Sequence, residues 1–272
     1  MTTSYAAGTE AFGRLLKIMD ELREQCPWDR AQTMHTLRHL TLEEVHELSE
    51  SILADDLPEV KKELGDLLLH IVFYARLADE QKVFDIAGLI HQLCEKLIRR
   101  HPHIYGNVSA DNADAVKANW EEIKLKEGNK TVLGGVPKGL PALVKAYRIQ
   151  EKVSSVGFDW ENSAQVLDKV EEEIGELRQV LPVLSNKQTL ADDALRAQAE
   201  AELGDVLFSI VNYARFLGIN ADDALEKTNR KFLHRFAHVE AAAQAAGKPL
   251  KDHSLAELNA LWDDAKRAHT TI

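Results

Sequence analysis

Residues 63–76 read Glu-Leu-Gly-Asp-Leu-Leu-Leu-His-Ile-Val-Phe-Tyr-Ala-Arg, and residues 202–215 read Glu-Leu-Gly-Asp-Val-Leu-Phe-Ser-Ile-Val-Asn-Tyr-Ala-Arg. Each opens with two carboxylates three residues apart and then runs apolar nearly all round, the pattern of a buried helix. The offset between the two is constant at 139 residues, from Glu63 to Glu202, Asp66 to Asp205 and Tyr74 to Tyr213. Working outward, Glu43-Glu-x-x-Glu47 matches Glu172-Glu-x-x-Glu176 upstream. Downstream, Lys96-x-x-x-Arg100 matches Lys231-x-x-x-Arg235, and Trp120-x-x-x-Lys124 matches Trp262-x-x-x-Lys266. Two copies of one helical domain explain this pattern; a solenoid would need more copies at a shorter period.

Most of the remaining chain carries apolar residues at three- and four-residue spacing, as in Leu167, Val170, Ile174 and Leu177. Glycine and proline concentrate at Gly134, Gly135, Pro137, Gly139 and Pro141, which cannot continue a helix. The expected organisation is therefore all-α: a first helical-bundle domain over 1–127, a linker over 128–142 and a second domain over 143–272. A chain of 272 residues suffices for two cores.

The formal charge of −11 argues against binding a nucleic-acid polymer, which needs a surplus of Lys and Arg. It leaves room for a small phosphorylated ligand, because a bound divalent cation inverts the local field. Cys26 and Cys94 stand far apart in no metal or disulfide spacing, which fits a reducing compartment. The N-terminus lacks a secretory pattern, and the most apolar stretch, 67–77, is too short to span a bilayer. A cytoplasmic protein without membrane contact is expected.

Within a helix, residues three or four apart share a face. Glu173 and Glu176 are neighbours on one helix, and Glu202 and Asp205 on the next; Glu44, Glu47, Glu63 and Asp66 repeat the arrangement, with Glu43 a turn from Glu47. A lone acidic string is usually a solvated helix face. A carboxylate set in a buried apolar helix loses its hydration, however, and clustered carboxylates repel; a divalent cation relieves both penalties. Hard oxygen donors without Cys or paired His suit Mg²⁺, with Mn²⁺ as a substitute, rather than Zn²⁺. A di-iron bundle would need Glu-x-x-His on two helices, and Glu43-x-x-His46 alone has that spacing. Around the clusters, Lys169, Lys231 and Arg235 are candidates for holding a phosphate chain, and Trp262 with Lys266 for a base and a further charge.

Cys26-Pro-Trp-Asp29, Gln32-Thr33, Leu42-Glu-Glu-x-x-Glu47 and the repeated Glu-Leu-Gly-Asp resemble the MazG nucleoside triphosphate pyrophosphohydrolases over nearly the whole chain. The resemblance implies the all-α NTP pyrophosphatase fold and a homodimer. It also implies Mg²⁺-dependent hydrolysis of NTPs and dNTPs, with low base selectivity, to the monophosphate and pyrophosphate. A role in clearing aberrant nucleotides or tempering stress signalling is implied as well. On this reading water attacks the phosphate chain, Mg²⁺ polarises the phosphoryl oxygens, Lys231 and Arg235 neutralise developing charge, and Glu172 orients water or ligand.

The copies differ where a nucleotide would be read. Asn212, two turns beyond Asp205, can hydrogen-bond a sugar or base, whereas the first copy has Phe73 there; Ser209 likewise stands opposite His70. The family resemblance implies Asn at this place in the active domain, so catalysis is expected in the second copy, with Glu172, Glu173, Glu176, Glu202 and Asp205, and the first copy is expected as a weaker site or a dimerisation module. Glu43, Glu44, Glu47, Glu63, Asp66, Lys96, Arg100, Trp120 and Lys124 form a possible second site. Residues 181–199, between the second pair of carboxylate helices, exceed their first-copy counterpart. Two rival readings are an acidic partner-binding surface, which predicts exposed Asp66 and Asp205, and a phosphatase that removes only the terminal phosphate.

Overall fold

The computed structural model describes residues 5–109, 112, 116, 119–120, 123, 131–181 and 192–268, and every regular element among them is a helix. Two compact units divide between Val116 and Lys117, ahead of the Gly/Pro cluster. In unit 1 the helices are α1 (Tyr5–Gln25), α2 (Pro27–Ala31), α3 (Met34–Leu53), α4 (Leu57–Glu80), α5 (Ile86–Arg100) and α6 (Pro102–Tyr105). Unit 2 contains α7 (Ala142–Ser154), α8 (Ser163–Val180), α9 (Asp193–Phe216), α10 (Ala221–Ala245) and α11 (Leu255–Ala268).

Short polar side chains start the helices that carry the acidic motifs. Thr33 and Thr36 form a reciprocal capping box at α3, and Asp56 accepts from Glu59 N at the head of α4, where Pro58 follows. In unit 2, Asn162 accepts from Ala164 N and Gln165 N to start α8, and Asp192 accepts from Ala194 N and Leu195 N to start α9. The three-residue turn between α3 and α4 makes them an antiparallel pair. Thr41 and Tyr74 lock that pair through a 2.7 Å hydroxyl contact.

The unit 1 core is formed by Met19, Leu37, Val72, Phe73 and Leu77, with Phe12, Leu16 and Leu69 packed around them. Arg23 fastens α1 to the end of α4 through two bonds to the Glu80 carboxylate, at 2.8 and 2.9 Å, and donates to the carbonyls of Asp29 and Gln32. The Cys-Pro-Trp-Asp stretch thus has a structural use: Pro27 opens α2, and the carbonyl of Asp29 anchors Arg23. In unit 2 the corresponding pair, α8 and α9, packs together, with Val166, Val170, Val206 and Val211 buried.

The apolar segments of α4 and α9 are not buried all round. Leu64, Leu68 and Ile71 on α4, and Leu203, Leu207 and Ile210 on α9, form exposed stripes that correspond position for position across the repeat. The all-round pattern combines a side facing the unit's own core with a side that the described residues leave uncovered. No helix among the described residues is long and apolar enough to cross a membrane.

Candidate active site

The repeat brings the same three carboxylates together in each unit. In unit 1, one oxygen from each of Glu44, Glu47 and Glu63 lies within 4.8 Å of the others; in unit 2 the same holds for Glu173, Glu176 and Glu202. Two come from the first helix of the pair and one from the second, as the helical spacing requires.

Asp66 and Asp205, expected as fourth members, lie outside these groups. Nor are they the buried carboxylates: Asp66 is half-buried and Asp205 is exposed. The turn around each is apolar but uncovered, since Leu64, Gly65 and Leu68, like Leu203, Gly204 and Leu207, are themselves exposed. Burial falls instead on Glu63, 1% exposed, and Glu173, 8% exposed. Exposure of Asp205 is what an acidic docking surface predicts, but a solvated face does not bury Glu63 and Glu173 inside its clusters.

Each buried carboxylate has a lysine beside it, from different helices in the two copies. Lys62 Nζ, on α4, lies 2.8 Å from Glu63 and 2.5 Å from Glu59. Lys169 Nζ, on α8, lies 2.8 Å from Glu173 and 2.9 Å from Glu172. These contacts raise the pKa of both lysines and, despite burial, hold Glu63 below the usual carboxylate range. Burial, together with the charges of Asp66, Glu47 and Glu63, pushes Glu44 up. Lys62 was not among the residues singled out by sequence; its neighbours Glu59 and Glu63 at short helical spacing were the available signal.

One lysine does not satisfy the cluster. Glu63 Oε2 is buried without a hydrogen-bond partner, and the Glu63 side chain converges with those of Glu44 and Glu47 as a set of three hard oxygen donors. This donor set fits Mg²⁺ or Mn²⁺, which take oxygen ligands and complete their shells with water and phosphate.

The other sequence candidates are placed as follows. Lys231 is exposed and Arg235 half-buried on α10, with Arg235 Nε buried and unpartnered. Trp262 on α11 is half-buried against the Phe232 ring, with centroids 4.9 Å apart, and Lys266 pairs with Asp263 at 2.9 Å. Glu172 is exposed, as is Glu43 in unit 1. Lys96 is exposed and Arg100 half-buried on α5, and Trp120 is half-buried; Lys124 lies outside the described residues, as do 182–191 of the long connection.

Asn212 lies farther along α9, where its Oδ1 accepts from Arg215 Nε at 3.0 Å and Nη2 at 2.9 Å. Arg215 also pairs with Asp159. Burial opposes ionisation of Asp159, but hydrogen bonds from Arg215, Ser154 and the Trp160 amide outweigh it and hold its pKa low. In unit 1 the corresponding Phe73, 2% exposed, is core.

Comparison with known proteins agrees with the repeat. The model of the MazG nucleotide pyrophosphohydrolase domain matches twice, over residues 32–105 and 161–240. A nucleoside triphosphate pyrophosphohydrolase of Escherichia coli is 41% identical over 261 residues, covering 93% of this chain and 96% of that protein. The nucleoside triphosphate pyrophosphohydrolase/pyrophosphatase MazG of Thermotoga maritima is 40% identical over 265 residues, covering 96% and 97%. A shorter match, 35% identical over 147 residues, links 52% of the chain to 45% of a nucleoside triphosphate pyrophosphohydrolase of Mycolicibacterium smegmatis. By these matches and by its two all-helical units, the chain belongs to the MazG nucleotide pyrophosphohydrolase family, with the domain present twice.

Proposed function

We propose that this chain hydrolyses NTPs and dNTPs to the monophosphate and pyrophosphate with Mg²⁺, and that unit 2 carries the activity. The observation that carries the reading is the convergence of Glu173, Glu176 and Glu202 from two packed helices, one of them buried, in a chain of this family. Glu173, Glu176 and Glu202 would hold the ion, with Asp205 supplying a ligand from the solvent side. When bound, Mg²⁺ polarises the phosphoryl oxygens and offsets the charge of the phosphate chain. Lys231 and Arg235, one turn apart on α10, neutralise charge as pyrophosphate leaves; the unpartnered Arg235 Nε is a donor suited to a phosphate oxygen. Glu172, exposed beside Lys169, orients the attacking water. The chain acts as a homodimer in the cytoplasm, with the exposed stripes on α4 and α9 as the surface a second copy covers.

The test is hydrolysis of a panel of NTPs and dNTPs with Mg²⁺, with products resolved. Wild type is compared with Glu44→Gln/Asp66→Asn and with Glu173→Gln/Asp205→Asn. Pyrophosphate and monophosphate are expected from wild type and from the first variant. The second variant is expected to lose activity by about a hundredfold or more. Orthophosphate with diphosphate would exclude the reaction, and loss in the first variant alone would reassign it to unit 1. An acidic docking surface predicts no Mg²⁺-dependent rise in melting temperature; the proposed site predicts one that Glu173→Gln/Asp205→Asn removes.

A further inference from the structure

α11 carries two of the sequence candidates, Trp262 and Lys266, yet little of it is buried: among its described residues only Ala265 is. A helix with so small a buried face is not fixed along its neighbour by packing alone. Its middle meets α10 where the Trp262 ring lies 4.9 Å from Phe232, which stacks in turn on Phe236 at 6.1 Å. Those two phenylalanines are the chain neighbours of Lys231 and Arg235. Whatever sets α11 along α10 therefore sets Trp262 and Lys266 against the stretch that bears the cation pair.

At the head of α11 one carboxylate makes that connection. Ser254 donates from its amide and its hydroxyl to Glu257 Oε2, at 2.7 and 2.9 Å, and Glu257 N donates back to Ser254 Oγ at 3.2 Å. This capping box starts the helix. The same carboxylate takes two bonds from Lys248 Nζ, at 2.8 and 2.9 Å, across the turn that leaves α10. The turn is closed in its own right: Gly247, at φ +65°, ends α10, and Lys248 N donates back to the Ala243 carbonyl at 3.2 Å. His253 Nε2 donates to the Lys248 carbonyl at 3.2 Å. Lys248, with the amide and hydroxyl of Ser254, holds the Glu257 carboxyl down at about 2, so the pair stays charged at neutral pH. Counting back from the tryptophans, the first copy has Asn112 in place of Ser254 and Ala115 in place of Glu257. By sequence, then, the arrangement belongs to the second copy.

An exposed ion pair adds little to overall stability, but a small energy suffices to choose between registers of a lightly packed helix. We propose that Lys248 and Glu257 are positioning residues of the enzyme: their pair fixes α11 along α10 and so places Lys266 and Trp262 at the substrate beside Lys231 and Arg235. The inference rests on the catalytic reading above. Neither residue touches substrate; both act through α11.

The experiment uses the full-length protein with ATP and Mg²⁺. Glu257→Gln removes the charge but keeps the capping box, since glutamine serves at that position. Lys248→Met removes the charge from the other side and lies outside the helix, so it decides the matter if the first variant loses helicity. Each is expected to raise the KM for ATP about fivefold with kcat unchanged, and Lys248→Arg to restore the wild-type value. In a Lys266→Met background, Lys248→Met is expected to add nothing further, because the residue it positions is gone. A fall in kcat with KM unchanged, no kinetic effect, or an equal KM effect in the Lys266→Met background overturns the assignment. Should wild type release no pyrophosphate, the catalytic reading fails, and the pair is judged on ATP binding by titration calorimetry. Weaker binding in Lys248→Met supports a positioning role; equal binding, or none, overturns it.

Discussion

At position 73 a phenylalanine fills the core of unit 1, and at the matching position 212 an asparagine borders a cavity in unit 2. Truncating Phe73 to alanine should cost about 3–5 kcal/mol by urea denaturation. Asn212→Leu should cost far less, because no core collapses around it. Glu44 offers a second test at this scale. Its pKa is raised in the fold by burial and neighbouring carboxylates, so its contribution to stability is present below the unfolded value and lost as pH rises through the folded one. Without Mg²⁺, Glu44→Gln should match wild type near pH 4 and melt about 1–2 °C higher at pH 7. Added Mg²⁺ should reverse that order, since only wild type keeps the ligand. Sequence made the acidic set legible but not the allocation of burial within it. Glu63 and Asp66 are a turn apart, and periodicity cannot say which one the neighbouring helix covers.

Helices start where their caps say they should, and the repeat in sequence becomes a repeat of helix pairs. The misread element is the apolar run itself. A pattern apolar on all sides is the same whether the second side is covered by the chain or by another molecule, so Leu203, Leu207 and Ile210 looked like core and are exposed. Leu207→Asp should convert the expected dimer to a monomer in sedimentation velocity while leaving helicity unchanged. The attachment of the 157–160 loop was also illegible: Asp159 pairs with Arg215 fifty-six positions away, and no local spacing announces such a contact. Gly157→Ala meets no neighbouring atom, but places a side chain at positive φ. It should cost about 1 kcal/mol, or roughly 2–4 °C in melting temperature by circular dichroism.

Across the whole molecule, duplication is what made a single sequence interpretable. Each acidic string alone is ordinary; two that match in spacing, in helix pairing and in their exposed stripes are not. Two compact units give the chain two places at which an ion can stabilise the fold. With Mg²⁺, calorimetry should show both units shifted upward, and Glu173→Gln/Asp205→Asn should remove the shift from one transition only. A single transition that lost its entire Mg²⁺ response in that variant would mean unit 1 takes up no ion.

The lysines lodged in the two clusters set a threshold of charge. Lys62 and Lys169 each give a buried glutamate one positive charge at 2.8 Å, so a monovalent ion arriving there offers nothing the resident ammonium does not already provide. On the proposed metal reading, a divalent ion would bring twice the charge and displace it. Such a site would disfavour potassium and sodium without any selective cage. Because the placeholder sits on α4 in one copy and on α8 in the other, Lys62→Met and Lys169→Met would lower the threshold in each copy independently.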